Sequence, residues 1–443
     1  MNRAFLLTCL ALHLGLASAT AQIAARVERF ELDGIDVLIL PTGVRNVVTL
    51  RGSLPAGDAV AKSTNPALAT LAGAMLDQGT KRQNKFAIAE QLEAVGATIS
   101  FHVDDNVLRI AAKCLRQDVK LVVELVAEQL REPAFDPDEF SRLKGRLTGA
   151  LQRQLESTDA RAFEAFLQAA YPPEHPNRIP PVREFIAALE AASLEEVKAF
   201  HAQHYGPAEL ILVLVGDIDA ASARDAIATG FDGWTGGTPV LRAPSPAQGP
   251  PDTPRVQTVR MEDKPSVSVV WGQPTGLSYT HQDALALRVG TAILGSGFTG
   301  RLLARIRDRE GLTYGIGATV ANDTFNDGDW SIRGTFAPEL LDQGLAATRQ
   351  ELVVWHRDGV TAQELEERKT NLAGVFKVQL ATTEGLASIL LQTVQRGLPL
   401  SWIDEYPEKV RALNLEQVNG AIKRHLDPGQ MLLVRAGSVP EGS

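Results

Sequence analysis

An arginine and a tyrosine seven residues apart, Arg307 and Tyr314, lie in the stretch TGRLLARIRDREGLTYGIGAT that runs from Thr299 to Thr319. A guanidinium offers a rigid fork of donors and a phenol one more, so the pair at one corner can bind an extended peptide or an oxyanion. The stretch predicts such a corner. Leu302, Leu303 and Ile306 recur at helical spacing, and Gly311 stands where helices end in a left-handed residue. Leu312–Val320 then reads as a strand, with Tyr314, Ile316 and Ala318 on one face. The plain alternative puts Arg307 in a solvated charge run, Arg305 to Glu310, and Tyr314 in the core.

Other reactive residue types are sparser. Gly295, Gly297 and Gly300 satisfy G-x-G-x-x-G, but they follow a helical pattern, Gln282–Leu294, whereas a dinucleotide cradle follows a buried strand. The loop therefore reads as a linker between helices. His201 and His204 share a helical face with no third ligand identifiable beside them. They and His425 read as structural, and His102, His175, His281 and His356 as isolated. Cys114 sits in an apolar context at a strand end, and no Ser/His/Asp or Cys/His set supports a zinc-independent enzyme.

The elements that must position Arg307 and Tyr314 belong to a chain of 443 residues with a net charge of −9, long enough for two or more domains. No basic stripe suited to a nucleic-acid backbone occurs. Residues 1–21 read as a secretory signal peptide: a basic start at Arg3, an apolar core and small residues at Ala17–Ala21. Export to a bacterial periplasm is expected, as a chain with no membrane span after cleavage.

Two similar halves follow, expected at 23–232 and 256–443 and joined by a Pro/Gly-rich linker at 233–255. Leu194-Glu-Glu-Val197 matches Leu415-Glu-Gln-Val418 at an offset of 221 residues. At the same offset His204 matches His425, Pro207 matches Pro428 and Gly216 matches Gly437. Strand hairpins mix with long helices and show no regular βαβ alternation. The fold class is therefore α+β: two tandem homologous domains, each a mostly antiparallel sheet with helices on one face.

The opening ERFELDGIDVLILP, the segment Pro66–Thr80, the paired FHAQHYGPAELILVLVGDI and IKRHLDPGQMLLVRAGS, and above all RLLARIRDREGLTYGIGA resemble the pitrilysin/insulinase family of zinc peptidases. That resemblance implies tandem domains and an inverted zinc motif, H-x-x-E-H, on the helix after Pro66. Here the three motif positions carry Thr70, Gly73 and Ala74, none able to ligate zinc or act as base. The helix expected to give the third ligand has no acid between Glu139 and Glu156.

The resemblance accordingly implies a zinc-free subunit of a two-chain peptidase. A homologous partner bearing H-x-x-E-H would hold the zinc. This chain would supply Arg307 and Tyr314 for substrate and oxyanion binding, with Gly295, Gly297 and Gly300 at the contact between chains or domains. Its expected partners are that subunit and a peptide substrate, with no cofactor of its own. A purely structural or peptide-binding subunit is the alternative.

Overall fold

The computed structural model describes residues 22–62, 64–243 and 255–440. The signal-peptide reading of residues 1–21 and the linker segment 244–254 lie outside these residues.

The first half holds β1 (Glu28–Leu32), β2 (Ile35–Pro41), β3 (Val47–Leu54), β4 (Thr98–Val103), β5 (Leu108–Leu115) and β6 (Ile211–Gly216), in the order β1-β2-β6-β3-β5-β4. The second holds β7 (Arg255–Arg260), β8 (Val267–Pro274), β9 (Thr313–Ala321), β10 (Asp329–Phe336) and β11 (Leu432–Gly437), ordered β7-β11-β8-β10-β9. Each sheet is antiparallel apart from one parallel pair, β2 with β6 and β11 with β7. Dropping β1, the two orders correspond strand for strand, and β4 and β9 occupy matching open edges.

In the first half α1 (Leu68–Met75), α2 (Val119–Arg131), α3 (Pro137–Leu155), α4 (Thr158–Ala170), α5 (Leu194–His204) and α6 (Ala220–Phe231) carry the main packing; in the second, α7 (Ala284–Gly295), α8 (Leu341–Asp358), α9 (Thr383–Gln395) and α10 (Leu415–His425) do so. The 221-residue repeat is exact in α5 and α10 and in β6 and β11, and both helices open with a capping box, Ser193/Glu196 and Asn414/Gln417. The glycines that close β6 and β11 have φ of +147° and +140°, and a Cβ there would meet Val47 O at 2.0 Å and Ser266 O at 2.5 Å. Only glycine fits either place.

Period-2 alternation sends the two faces of each sheet to different cores. Val37, Ile39, Leu212 and Leu214 pack with α1, α2, α5 and α6 of their own half. The opposite face, Leu38, Leu40, Val213 and Val215, is covered by Leu386, Leu390 and Leu391 of α9 from the second half. The exchange is mutual: Phe166 and Leu167 of α4 cover Val270, Val434 and Ala436 of the second sheet. Each sheet thus meets its own helices on one face and one borrowed helix on the other. This explains why Val37–Leu40 of β2 and Ile211–Val215 of β6 are continuous apolar runs.

Each borrowed helix is fixed alike at its start, Thr158 Oγ1 to Ser268 Oγ at 2.8 Å and Thr383 Oγ1 to Thr49 Oγ1 at 2.9 Å. Burying one such Phe or Leu contributes about 1.5–3 kcal/mol, so the exchange locks the halves together. After α4, the Tyr171 hydroxyl donates to Asp329, and the Asn177 amide donates to the carbonyls of Asn322 and Asp327. Among the described residues no helix is long and apolar enough to cross a membrane.

Candidate functional site

Arg307 and Tyr314 meet at the start of β9, the edge strand of the second sheet. The expected α-helix before them is π-helical over Leu303–Arg309, with Leu302 and Ile306 buried beneath it. It ends at Gly311, whose φ of +67° is the left-handed turn expected there. The strand departs from simple alternation. Ile316 and Ala318 are buried as expected, yet Tyr314 is 90% exposed, so it shares neither their face nor the core. The cause is a β-bulge: Thr335 pairs with Gly315 and Phe336 with Thr313, leaving Tyr314 as the extra residue. Bulges re-aim side chains in this way. The Thr313 hydroxyl holds the bulge, accepting the Gly315 N–H at 3.2 Å and donating to the Thr335 carbonyl.

The bulge brings the phenol ring to 5.5 Å from the Arg307 guanidinium, and Phe298, 76% exposed on the glycine loop, stands 5.6 Å from it. Two aromatic rings therefore steady the cation without consuming its N–H donors. Its neighbour Arg305 is the structural arginine of the charge run, bonded to Glu310 at 2.8 Å and Glu351 at 3.2 Å. Among the described residues Arg307 approaches a carboxylate no closer than Asp308, at 3.7 Å. The corner thus presents forward-facing donors beside an open strand edge, where an extended chain can add as a further strand.

The glycine loop joins two helices, as its sequence suggested. A Cβ at Gly295 would lie 2.1 Å from Ala318 N, so this glycine seats the end of α7 directly on β9. Gly297 has a φ of +69°, and Gly300 is buried under the turn. Phe298 and Thr313 escaped the sequence reading: nothing marks a loop phenylalanine as a ring partner, and Thr-Tyr-Gly reads as ordinary alternation.

The matching corner of the first half is closed. Thr70, Gly73 and Ala74 lie on α1 beside β4, and a Cβ at Gly73 would come within 2.4 Å of Val103 Cγ2. Thr70 donates to Asp58 at 2.9 Å, and burial pushes the Asp58 carboxyl up to about 7. The Tyr205 hydroxyl is buried there with no hydrogen-bond partner among the described residues, and burial raises its pKa. A hydroxyl, a missing side chain and a methyl provide no zinc ligand, and the acids at the two ends of α3, Glu139 and Glu156, are engaged elsewhere. Glu139 binds Lys85 at 2.5 Å and Arg142 at 2.7 Å; Glu156 binds Lys264 at 2.5 Å. The residues present do not fit the metal.

Most histidines are structural. His201 Nε2 meets the Leu130 carbonyl at 2.8 Å, with burial lowering its pKa, and His204 Nδ1 meets Thr238 at 3.3 Å. His356 meets the Leu426 carbonyl at 2.9 Å, and burial holds His175, stacked on Tyr171, down at about 4. Cys114 is buried at its strand end and pushed up to about 12. The exceptions are His281 and His425. Expected to be isolated and structural, they instead meet across Asp283, with ring centroids 5.4 Å apart. The signal was an H-x-D at the start of α7, but its partner lies more than 140 residues away.

Known proteins share this architecture. Residues 44–178 match the model of insulinase, peptidase family M16, and residues 191–372 match that of the peptidase M16 inactive domain. A Helicobacter pylori protein named non-peptidase homolog YmxG is 23% identical, the match covering 84% of each chain. A Bacillus subtilis uncharacterized zinc protease YmxG is 22% identical, over 83% of this chain and 88% of its own. Among solved structures, a peptidase M16 inactive domain from Pseudomonas fluorescens superposes with a TM-score of 0.83 at 22% identity, covering 94% of this chain and 98% of the other. A Helicobacter pylori protease superposes at 0.80 with 17% identity, covering 93% and 99%.

Proposed function

Because the chain belongs to the M16 peptidase family as an inactive member, we propose that it is the zinc-free subunit of a two-chain peptidase, supplying Arg307 and Tyr314 to a site completed by a homologous partner. The observation that carries this reading is the bulge at Tyr314. A backbone irregularity, a glycine loop packed on β9 and the Phe298 ring on that loop hold a phenol and a guanidinium outward together. An unused remnant needs none of these.

In the proposed complex an extended peptide lies along the open edge of β9. Arg307 donates to one of its backbone carbonyls, fixing the register of the scissile bond. Tyr314 donates its hydroxyl hydrogen to the carbonyl oxygen as that oxygen gains negative charge in the tetrahedral intermediate. Its exposure suits this task, since the phenol becomes desolvated only when the partner closes over the peptide. The partner holds the zinc and the glutamate base. The loop carrying Gly295, Gly297 and Gly300 is proposed as part of the contact between the chains, and the periplasm as the compartment.

The test is reconstitution. Peptide hydrolysis is measured for this chain alone, for an H-x-x-E-H homologue from the same genome alone, and for the two mixed. Activity confined to the mixture supports the reading. A homologue fully active alone and indifferent to this chain would leave a structural or peptide-binding subunit.

A further inference from the structure

His281, Asp283 and His425 form a second site, unrelated to the Arg307 corner, and we propose that it binds a borderline divalent metal such as Zn²⁺. One ligand atom from each residue, two imidazole nitrogens and a carboxylate oxygen, lies within 4.8 Å of the other two. Two histidines and one carboxylate are a donor set that zinc accepts, with water in the remaining position.

The backbone explains the convergence. Asp283 stands at the N-cap position of α7, yet its side chain does not cap the helix. The carboxylate turns to the end of α10, where Oδ2 lies 2.8 Å from His425 Nε2. The lone pair of His281 Nδ1 is directed at the same residue, accepting the Asp283 backbone N–H at 3.1 Å. The side chains of His425 and Asp283 are each 17% exposed, sheltered but open to an ion. Among the described residues the first half has no copy of this arrangement: His204, which corresponds to His425, pairs with Thr238.

A cation already competes for the carboxylate. Arg424 bonds both oxygens of Asp283, at 3.0 and 3.1 Å, from a side chain that is 56% exposed. Metal entry requires this arginine to swing into solvent, which its exposure permits. The bound ion would then tie the start of α7 to the end of α10. Since α7 ends at Gly295 on β9, occupancy would stiffen the element that seats the Arg307 loop. It would also give the isolated chain a zinc content that has no bearing on peptide hydrolysis.

The experiment uses the tag-free chain alone, stripped with chelator and titrated with Zn²⁺ by calorimetry, with thermal unfolding followed in parallel. The expected result is one Zn²⁺ per chain and a Tm raised by about 2–4 °C or more. His281→Ala and His425→Ala should each weaken binding by about tenfold or more. Arg424→Ala keeps all three ligands and removes the competitor, so it should tighten binding. Zinc uptake unchanged in the double histidine variant would overturn the proposal, as would an Arg424→Ala chain that binds no more tightly than the parent. The measurement needs neither a partner nor peptide, so it stands or falls apart from the reading of Arg307 and Tyr314.

Discussion

Helix α1 beside β4 and helix α7 beside β9 occupy equivalent corners of the two halves, and they have diverged in opposite directions. Both helices pack against a repeat-matched helix, α5 or α10, and against an edge strand. Both also use a glycine for close approach, Gly73 toward Val103 and Gly295 toward Ala318. At the first corner small residues fill the space between α1 and β4, and the buried polar groups turn inward, Thr70 to Asp58. At the second, a π-helical turn and a bulge turn polar groups outward. The lesson is that this scaffold places chemistry by local irregularity: a regular, tightly packed corner is silent, and an irregular one presents donors.

The strongest way to break that contrast is to rebuild the silent corner. Gly73→Glu should cost about 4 kcal/mol or more, because the new Cβ collides with Val103 and a carboxylate is buried without a partner. Denaturant unfolding reads this directly. The triple variant Thr70→His, Gly73→Glu, Ala74→His should hydrolyse no peptide alone. Parent-like stability together with hydrolysis would mean that the corner was never closed.

The protonation of Asp58 sharpens the same contrast. Its carboxyl titrates near 7 when folded against an ordinary 3.8 unfolded, so the folded state holds a proton that the unfolded chain releases. This contribution is fully present below 3.8 and is lost as pH rises through about 7. Asp58→Asn removes the dependence. At pH of about 8 the variant should exceed the parent by about 4 kcal/mol, and near pH 4 the two should agree. Asp105 and Asp329, each pushed up to about 6 by burial, keep a weaker slope of the same sign in the variant.

Changes at the open corner should be smaller and should leave folding nearly untouched. In a reconstituted mixture Arg307→Ala should lose about 2 kcal/mol of transition-state stabilisation, the size of a charge-assisted hydrogen bond, expressed mainly as a higher KM. Thr313→Val removes the hydroxyl that holds the bulge and should cost about 1 kcal/mol of stability. If Thr313→Val also lowers kcat while Tyr314 remains in place, the bulge aims the phenol.

The sequence carried the repeat to the residue, because α5 and α10 meet the same neighbours and β6 and β11 end on glycines that no other residue can replace. It also carried the pairing of Arg307 with Tyr314, a local corner of one helix and one strand. The exchange of α4 and α9 was beyond it. Ile35–Pro41 announces two buried faces but not which helix covers each. The bulge was hidden too, since a single unpaired residue leaves the alternation pattern unbroken on paper. The His281, Asp283 and His425 cluster joins two helix ends far apart in the chain, and only the packing of α7 on α10 brings them together.

The most direct test of the central claim is the turnover of peptide by the reconstituted mixture carrying Tyr314→Phe, with the affinity of the two chains measured alongside. The side chain is almost wholly exposed and touches no core, so assembly and partner zinc should match the parent. Loss of the hydroxyl should lower kcat by about 10²–10³, the usual cost of one oxyanion donor. An unchanged kcat in a normally assembled complex would contradict the account and leave Tyr314 as surface.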